Sequence, residues 1–246
     1  MYPGKIKALE MEQSEQKPER EIPSIETSGH DEKLERLADF LLLNKNLIIA
    51  VTVGVLAAGA GLFFYQQQHR TTEASAYRLL FAAESVADAG NWQLAIDGND
   101  SMKGLRQIVK EYGSTPSGNR AKILIGDSFL ALGKIDSSLS YYREYAGKNP
   151  DLAASAIAGE ATCLLLNQEF SEAAAAFEKA SETAENQALK ASYLSDAADT
   201  YRLNGSIDKA VDLYKQVIRQ YPGFAATANA QESLLALAGK TGNVDL

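Results

Sequence analysis

Apolar positions between residues 119 and 224 follow helical spacing, and the pattern recurs in three copies. Each copy contains two stretches in which apolar residues recur every three or four positions, the period of a helix with one buried face. A short turn joins the two stretches. The first and third copies agree most closely, and the residues in matching positions are Gly126 and Ala198, Phe129 and Tyr201, Gly133 and Gly205, Ile135 and Ile207, Ser138 and Ala210, Tyr142 and Tyr214, and Pro150 and Pro222.

The middle copy keeps the same register with different residues in its turn. Ala161 holds the small position and Phe177 the aromatic one, but Gln168 replaces the turn glycine and no proline closes the copy. Small residues allow two helix backbones to approach, a glycine can end a helix in the left-handed conformation, and a proline cannot continue one. Each copy therefore predicts a helix hairpin with one uncovered face. Neighbouring copies can cover that face, so the hairpins are expected to stack into a superhelix.

The first 46 residues predict two different segments. Residues 1–30 are polar with only scattered apolar side chains, which predicts a disordered tail. Residues 31–46 predict a short amphipathic juxtamembrane helix, because Leu34, Leu37 and Leu41 recur on one face. This helix could lie on a membrane surface, dock a partner, or have no specific role.

An uncharged apolar run at residues 47–65 predicts a transmembrane helix. Its nineteen residues would span roughly 28 Å, close to the thickness of a hydrocarbon core. A cleaved signal peptide is the competing interpretation, but the preceding region is long and apolar residues continue past the candidate cleavage site. Within the run Ala50, Gly54 and Ala58 form a stripe of small residues that would allow a second membrane helix to pack closely.

Two further stretches flank the three copies. Residues 71–88 and 101–112 predict a degenerate first repeat, whose connection is longer than a usual turn and is either a functional loop or a local embellishment. The stretch after Phe224 predicts one helix that closes the stack. The predicted fold is therefore all-α, with one transmembrane helix followed at residues 71–242 by a superhelix of about three clear repeats, one degenerate repeat and one capping helix.

Composition and motifs argue against several classes of function. The net charge is −8 and no basic run with interleaved aromatics occurs, so nucleic acid is not an expected partner. Cys163 is the single cysteine and the two histidines are far apart, so no metal ligand set is predicted and Cys163 is expected to be a small buried side chain. No catalytic or cofactor motif is present, and Asp196 and Asp199 are interpreted as a solvated helix face. We therefore predict a protein that is not an enzyme and has no cofactor.

The three copies resemble the tetratricopeptide repeat, in which pairs of helices recur about every thirty-four residues. The resemblance implies that proteins or peptides bind in a groove lined by the first helix of each repeat. It places Arg120, Asp127 and Leu130, then Thr162 and Leu166, then Ser195, Asp199 and Arg202 in that groove. Asp127 and Asp199 would repel a terminal carboxylate, so an acidic C-terminal peptide is not the expected ligand.

The whole arrangement resembles the YfgM-like family of ancillary subunits of the SecYEG translocon. The shared feature is the junction of residues 63–65 with a helix containing Ala74, Ala76 and Tyr77, although the long loop near Trp92 departs from that family. The resemblance implies an inner-membrane, single-pass protein whose partners are the translocon, periplasmic chaperones or secreted chains. A scaffold for cell-envelope or division machinery is the alternative, an enzyme with an unrecognised site is a third hypothesis, and the oligomeric state is left open.

The charges beside the apolar run predict its orientation. Lys33, Arg36 and Lys45 precede the run, whereas Arg70 and Arg78 follow it. Basic residues favour the cytoplasmic side, so the N-terminus is expected in the cytoplasm and the repeats in the periplasm. The margin is one residue, which leaves the reversed orientation as the alternative.

Overall fold

The computed structural model describes residues 28–241, with side chains placed from residue 33 to residue 239. The chain divides into two compact units, residues 1–61 and residues 62–246. The described part is helical apart from turns and one very short hairpin, which confirms the all-α prediction. Its elements are α1 (Ser28–Leu43), α2 (Lys45–Asp88), α3 (Trp92–Asp97), β1 (Gly98–Asn99), β2 (Met102–Lys103), α4 (Leu105–Tyr112), α5 (Pro116–Ala131), α6 (Ile135–Arg143), α7 (Pro150–Leu166), α8 (Phe170–Thr183), α9 (Gln187–Leu203), α10 (Ile207–Gln220) and α11 (Ala225–Thr241).

Helix α2 contains the apolar run and continues well beyond it. The helix has 44 residues without a break, so the predicted span at 47–65 and the predicted helix from residue 71 lie on one element. It is the one helix in the described part of the chain that is long and apolar enough to cross a membrane. The juxtamembrane segment, predicted at 31–46, corresponds to α1, while the tail predicted at 1–30 lies almost entirely outside the described residues.

The three copies form three helix hairpins, α5 with α6, α7 with α8, and α9 with α10. Their turns share one pattern of hydrogen bonds, in which two successive N–H groups donate to carbonyls in the last turn of the first helix. In the first copy Gly133 donates to Leu130 and Lys134 donates to Phe129, over 2.9 and 2.8 Å. Residues Gly133, Gln168 and Gly205 take the left-handed conformation at the matching positions, with φ of 70°, 65° and 79°.

The first helix of each hairpin begins at a polar cap. The side chains of Thr115, Asn149 and Asn186 accept hydrogen bonds from backbone N–H groups in the first turns of α5, α7 and α9. These N–H groups have no acceptor within their own helix. The prediction that Pro150 ends the second helix of the first copy is wrong. Helix α6 already ends at Arg143, and Pro150 is the first residue of α7, where a missing N–H costs nothing.

The long connection after α2 is folded rather than open. Helix α2 ends at Asp88, and the turn at Gly90 has the same two hydrogen bonds as the turns of the later repeats. Helix α3 and the β1–β2 hairpin follow this turn. Ala95 and Ile96 of α3 are fully buried against residues of α2, α4 and α5. Helix α4 begins at Leu105, four residues later than predicted, because the Asn99 side chain accepts the N–H groups of Ser101 and Met102 and so fixes a hairpin turn there.

Small side chains dominate the core of the repeats. The largest buried cluster runs from α7 to α11 and includes seven alanines of α7 to α9 that are at most 7 % exposed. They are Ala158, Ala161, Ala174, Ala180, Ala191, Ala197 and Ala198. Such residues allow neighbouring helices to approach closely, and Phe177, Tyr201 and Tyr214 fill the space beside them. Helix α11 buries Ala230 and Leu237 in the same cluster, as predicted for a closing helix.

Candidate protein-interaction groove

The two predicted groove carboxylates form the same contact in two different repeats. The hydroxyl of Tyr142 donates to Asp127 over 2.6 Å, and the hydroxyl of Tyr214 donates to Asp199 over 2.7 Å. In each case the carboxylate lies on the first helix and the tyrosine fifteen residues later on the second. Sequence reasoning placed both carboxylates in the groove but did not find their tyrosine partners.

The environment of Asp127 raises its pKa above the usual range. Loss of water contact is the main cause, and the hydrogen bond from Tyr142 opposes it in part. Asp199 has a second partner in the guanidinium of Arg202, 3.3 Å away, and Arg202 also donates to the Tyr214 hydroxyl over 3.4 Å. Asp199, Arg202 and Tyr214 therefore form one polar cluster in the third repeat.

The other predicted groove residues have varied surroundings. Arg120 forms an ion pair with Glu84 of α2, which ties the first repeat to the preceding helix. The Thr162 hydroxyl donates to the carbonyl of Ala158 over 2.9 Å, and Ser195 is buried at 5 % exposure. Leu130 packs against the small apolar cluster around Tyr142, whereas Leu166 is 53 % exposed. Among these residues, therefore, Asp199 and Arg202 are brought into direct contact, and the rest are distributed along α5, α7 and α9.

A groove between α9 and α11 is the main concave feature at the C-terminal end of the repeats. It consists of two cavities of about 390 and 280 Å³ that share Asp199 and Asn229. One cavity is lined also by Arg202 and Glu232, and the other by Asp196. We call this feature the α9–α11 groove. Its charged lining comprises three carboxylates against one guanidinium, so it attracts cationic or neutral groups more than anionic ones.

Asp196 differs from the solvated residue that the sequence suggested. Burial and, to a smaller extent, the neighbouring charge of Asp199 together raise the pKa of Asp196 to about 6. A carboxyl group with so high a pKa is partly protonated in mildly acidic solution. A nearby positive charge would favour its ionised form, so this residue adds to the preference of the groove for cations.

Helix α11 contributes a side of the groove that the sequence analysis did not assign. Asn229, Glu232 and Ser233 line the groove from α11, which was predicted only to close the stack. Asn229, Glu232 and Ser233 are three and four residues apart and therefore lie on one face of α11. This polar face was the feature of the sequence from which their place in the groove could have been predicted. In the described part of the chain, no three His, Cys, Asp or Glu side chains converge as metal ligands.

Cys163 and the small-residue stripe have simpler surroundings. Cys163 is fully buried, as predicted, and its thiol donates to the Ser138 hydroxyl over 3.4 Å. Burial raises the pKa of the Cys163 thiol, which disfavours the reactive thiolate. Ala50, Gly54 and Ala58 are exposed on α2, and a Cβ atom at Gly54 would meet no atom of the described chain within 4 Å.

Comparison with known families identifies the repeats. The tetratricopeptide repeat model matches residues 123–188 and 164–225, which together extend from within α5 to the start of α11. This region therefore consists of tetratricopeptide repeats, as the spacing of small and aromatic residues predicted. No curated protein matches the chain.

Proposed function

We propose that this protein is a membrane-anchored, non-catalytic scaffold that binds other proteins through its tetratricopeptide repeats. The observation that carries the proposal is the combination of matched repeats at residues 123–225 with one long apolar helix ahead of them. Repeats of this kind present a groove built from several helices, and such grooves bind extended or helical segments of partner proteins. The proposal assigns no catalytic residue, cofactor or metal.

The finer proposal is an ancillary role in protein secretion. The arrangement of anchor and repeats resembles the YfgM-like subunits of the SecYEG translocon, and a periplasmic repeat domain could pass secreted chains between translocon and chaperones. The excess of one basic residue before the apolar run favours an N-terminus in the cytoplasm of an inner-membrane protein. A scaffold for cell-envelope or division machinery would use the same anchor and groove with different partners.

Capture of partners tests the function. The full chain would be cross-linked in cells, solubilised gently and purified, and its partners identified by mass spectrometry. Translocon subunits, chaperones or secreted chains would agree with the secretion proposal, and wall-synthesis or division proteins would replace it with the alternative. Purification without any specific partner would contradict the scaffold itself.

A charge-reversed groove shows whether the partner binds where we propose. Glu232 and Asn229 are exposed on α11, so Glu232→Lys with Asn229→Lys changes the groove charge without removing packed side chains. The matched control is Glu185→Lys with Gln231→Lys, two exposed positions outside the groove lining that give the same change in net charge. We expect capture to fall several-fold with the first pair and to be unchanged with the second. Equal capture by both would place the binding site elsewhere.

Two further measurements test the ligand class and the orientation. Micromolar binding of an acidic C-terminal peptide, lost on Arg202→Ala, would contradict the expected preference against such peptides.

Alkaline phosphatase fused after Leu246 should be active if the repeats are periplasmic, and a fluorescent protein exported to the same place by the Sec route should be dark. The opposite pair of results would reverse the orientation and remove the secretion proposal.

A further inference from the structure

The cavity between α9 and the start of α11 contains a buried hydroxyl without a partner. This cavity is the part of the α9–α11 groove that has a volume of about 280 Å³. Ser195 lines it and is 5 % exposed, yet its hydroxyl forms no hydrogen bond in the part of the chain that the structure describes. Every fully enclosed side-chain nitrogen or oxygen of the described chain has a partner, so the Ser195 oxygen opens onto the cavity. It is therefore available to a ligand there.

The neighbouring carboxylate is unpaired as well. Asp196 lines the same cavity, and within residues 33–239 its side chain accepts no hydrogen bond and forms no ion pair. Burial and, to a smaller extent, the charge of Asp199 raise the pKa of Asp196, and no donor or cation counters them. A ligand that brings hydrogen-bond donors and positive charge to this carboxylate would stabilise its ionised form.

The charge of the groove selects the sign of that ligand. Its lining holds three carboxylates and one guanidinium. The partial positive charge of about one half at the N-terminus of α11 does not offset this difference. Arg202 already donates to Asp199 and to the Tyr214 hydroxyl. An anionic ligand would therefore meet a net negative lining, whereas a cation meets an unpaired carboxylate.

Negative charge also extends from the groove along the first helices of the repeats. Burial is the main cause that raises the pKa of the Tyr193 hydroxyl, and its hydrogen bond with Ser155 opposes this. The charges of Asp196, Asp151 and Asp127 raise the same pKa, although these carboxylates belong to α9, α7 and α5. A partner segment that continues from the groove toward α5 therefore meets further carboxylates, which favours a basic segment.

The size and the walls of the cavity favour a long side chain over a bare ion. A water molecule occupies about 30 Å³ in the liquid, so the cavity has room for much more than one ion. Residues 224–226 form an apolar side of it. A lysine side chain matches these features, because its methylene groups lie along apolar surface and its ammonium carries three donors. The ammonium can direct these donors to acceptors on separate side chains, whereas a guanidinium fork matches one carboxylate in a plane.

We propose that the α9–α11 groove binds a lysine side chain of the partner protein, with the ammonium group donating to Asp196 and Ser195 and the methylene groups against residues 224–226. The inference rests on the proposed function, because it names the chemistry of the segment that the scaffold binds. The groove thereby selects partner segments that carry lysine. Acetylation of that lysine removes the charge on which binding depends.

Peptide selection with the purified full chain tests this inference. The protein in detergent would be mixed with short peptides of random sequence, and the bound peptides would be sequenced by mass spectrometry. We expect lysine to be enriched at one position, and acetylation of that lysine in a selected peptide should weaken binding about tenfold, as measured by fluorescence anisotropy. No enrichment of lysine, no bound peptide, or equal binding of the acetylated peptide would overturn the inference.

Variants of the groove locate the contact. Asp196→Asn keeps the size of the side chain but removes its charge, so it should bind the lysine and acetyllysine peptides equally. Ser195→Ala should weaken binding of the lysine peptide roughly threefold. The matched control, Asp212→Asn, removes an exposed carboxylate of α10 outside the groove lining and should keep the wild-type preference. A preference retained by Asp196→Asn would place the lysine elsewhere and overturn the inference.

One measurement does not depend on the folding of any variant. A selected peptide with a photoreactive group beside its lysine should cross-link the wild type at residues 188–199 or 224–229, and cross-links elsewhere would overturn the inference. Failure of the lysine tests while the full chain still captures specific partners in cells would refute the lysine site alone. Capture of no partner would instead contradict the scaffold, which separates the two failures.

Discussion

The first and third repeats differ from the middle repeat at two matching places, although all three hairpins have the same fold. At the turn, the first and third repeats have Gly133 and Gly205, and the middle repeat has Gln168 at the matching position. Gln168 is the one described non-glycine residue with a positive φ. The two backbone hydrogen bonds of the turn form in all three cases. The shape of the turn is therefore set by the helix packing on either side of it, and glycine only lowers its cost.

The second difference lies between the two helices of each hairpin. The outer repeats pair a carboxylate with a tyrosine hydroxyl, whereas the middle repeat has Thr162 and Phe177 at the same separation of fifteen residues. Phe177 is 5 % exposed and fills the aromatic position without a hydroxyl. The size and position of the aromatic ring therefore maintain the hairpin, and the polar pair is an addition that two repeats carry.

The largest effect is expected where a glycine contacts the aromatic ring of the first repeat. A Cβ atom at Gly126 would lie 2.7 Å from the Tyr142 ring, so Gly126→Leu forces both helices apart. We expect a loss of about 1–3 kcal/mol in the free energy of unfolding, measured by denaturant titration of residues 71–246. Ala210→Phe, on the second helix of the third repeat at the position that matches Ser138, should lose a similar amount, because Ala210 is fully buried. Gly239→Ala, where a Cβ atom would meet no atom within 4 Å, is the control and should not destabilise the fold.

The buried carboxyl of the third repeat has no counterpart in the middle repeat, where Gly159 holds the position of Asp196. Folding raises the pKa of Asp196 to about 6, above its unfolded value, so its ionisation costs stability as the pH rises from about 4 to about 6. Asp196→Asn removes that cost and should stabilise the fold by about 1–2 kcal/mol near pH 8, after allowance for solvent screening.

The gain from Asp196→Asn should be smaller near pH 5, where the wild-type group is already partly protonated. Melting temperatures of wild type and variant across this pH range provide the measurement. A gain that is the same at both pH values would show that the ionisation of Asp196 does not limit stability.

Removal of the tyrosine hydroxyls gives the first and third repeats a phenylalanine at the position where the middle repeat has Phe177. Tyr142→Phe removes the tyrosine donor of Asp127, and Tyr214→Phe removes that of Asp199, which keeps Arg202 as a partner. We expect each change to cost about 1 kcal/mol in the free energy of unfolding. Tyr141→Phe is a matched control on α6, because the Tyr141 ring packs beside Phe129 and, in the described chain, its hydroxyl forms no hydrogen bond. A loss as large for the control would mean that the effect is not due to the Asp–Tyr bond.

The smallest effect concerns the turn of the middle repeat. Gln168 has a φ of 65°, which costs a residue with a Cβ atom more than it costs glycine. Gln168→Gly should therefore stabilise the fold by about 0.5–1 kcal/mol, and the converse change Gly205→Gln should destabilise it by a similar amount. Thermal unfolding of both variants checks the sign. Equal effects in the same direction would show that the two turns are not equivalent.

The repeats could be predicted from sequence because their signals are local. Small and aromatic residues recur at helical spacing, and Gly133 and Gly205 stand where two apolar stretches meet. The contacts of the groove are not local. The partner of Asp127 lies fifteen residues away and that of Arg120 thirty-six residues away, so neither follows from the pattern of one helix. The recurrence of an Asp and a Tyr fifteen residues apart in two copies was the signal for the first pair.

The ends of the stack were the least predictable part. A proline such as Pro150 is compatible both with the end of one helix and with the first turn of the next. The structure distinguishes the two roles, because α6 already ends at Arg143 and Pro150 begins α7. The β1–β2 hairpin depends on one Asn side chain that accepts two N–H groups, which no periodicity reveals. The α9–α11 groove required the placement of α11, because a polar stripe on a closing helix does not indicate what it faces.

One aromatic ring has a consequence for how the repeat array folds. The ring of Tyr142 on α6 lies where a Cβ atom of Gly126 on α5 or of Gly159 on α7 would point. Three helices from two successive repeats therefore meet at this one side chain. In a linear array, the coupling between neighbours decides whether units unfold one at a time or together. We therefore expect the first two repeats to open as one cooperative unit, with matching hydrogen-exchange rates in α5, α6 and α7.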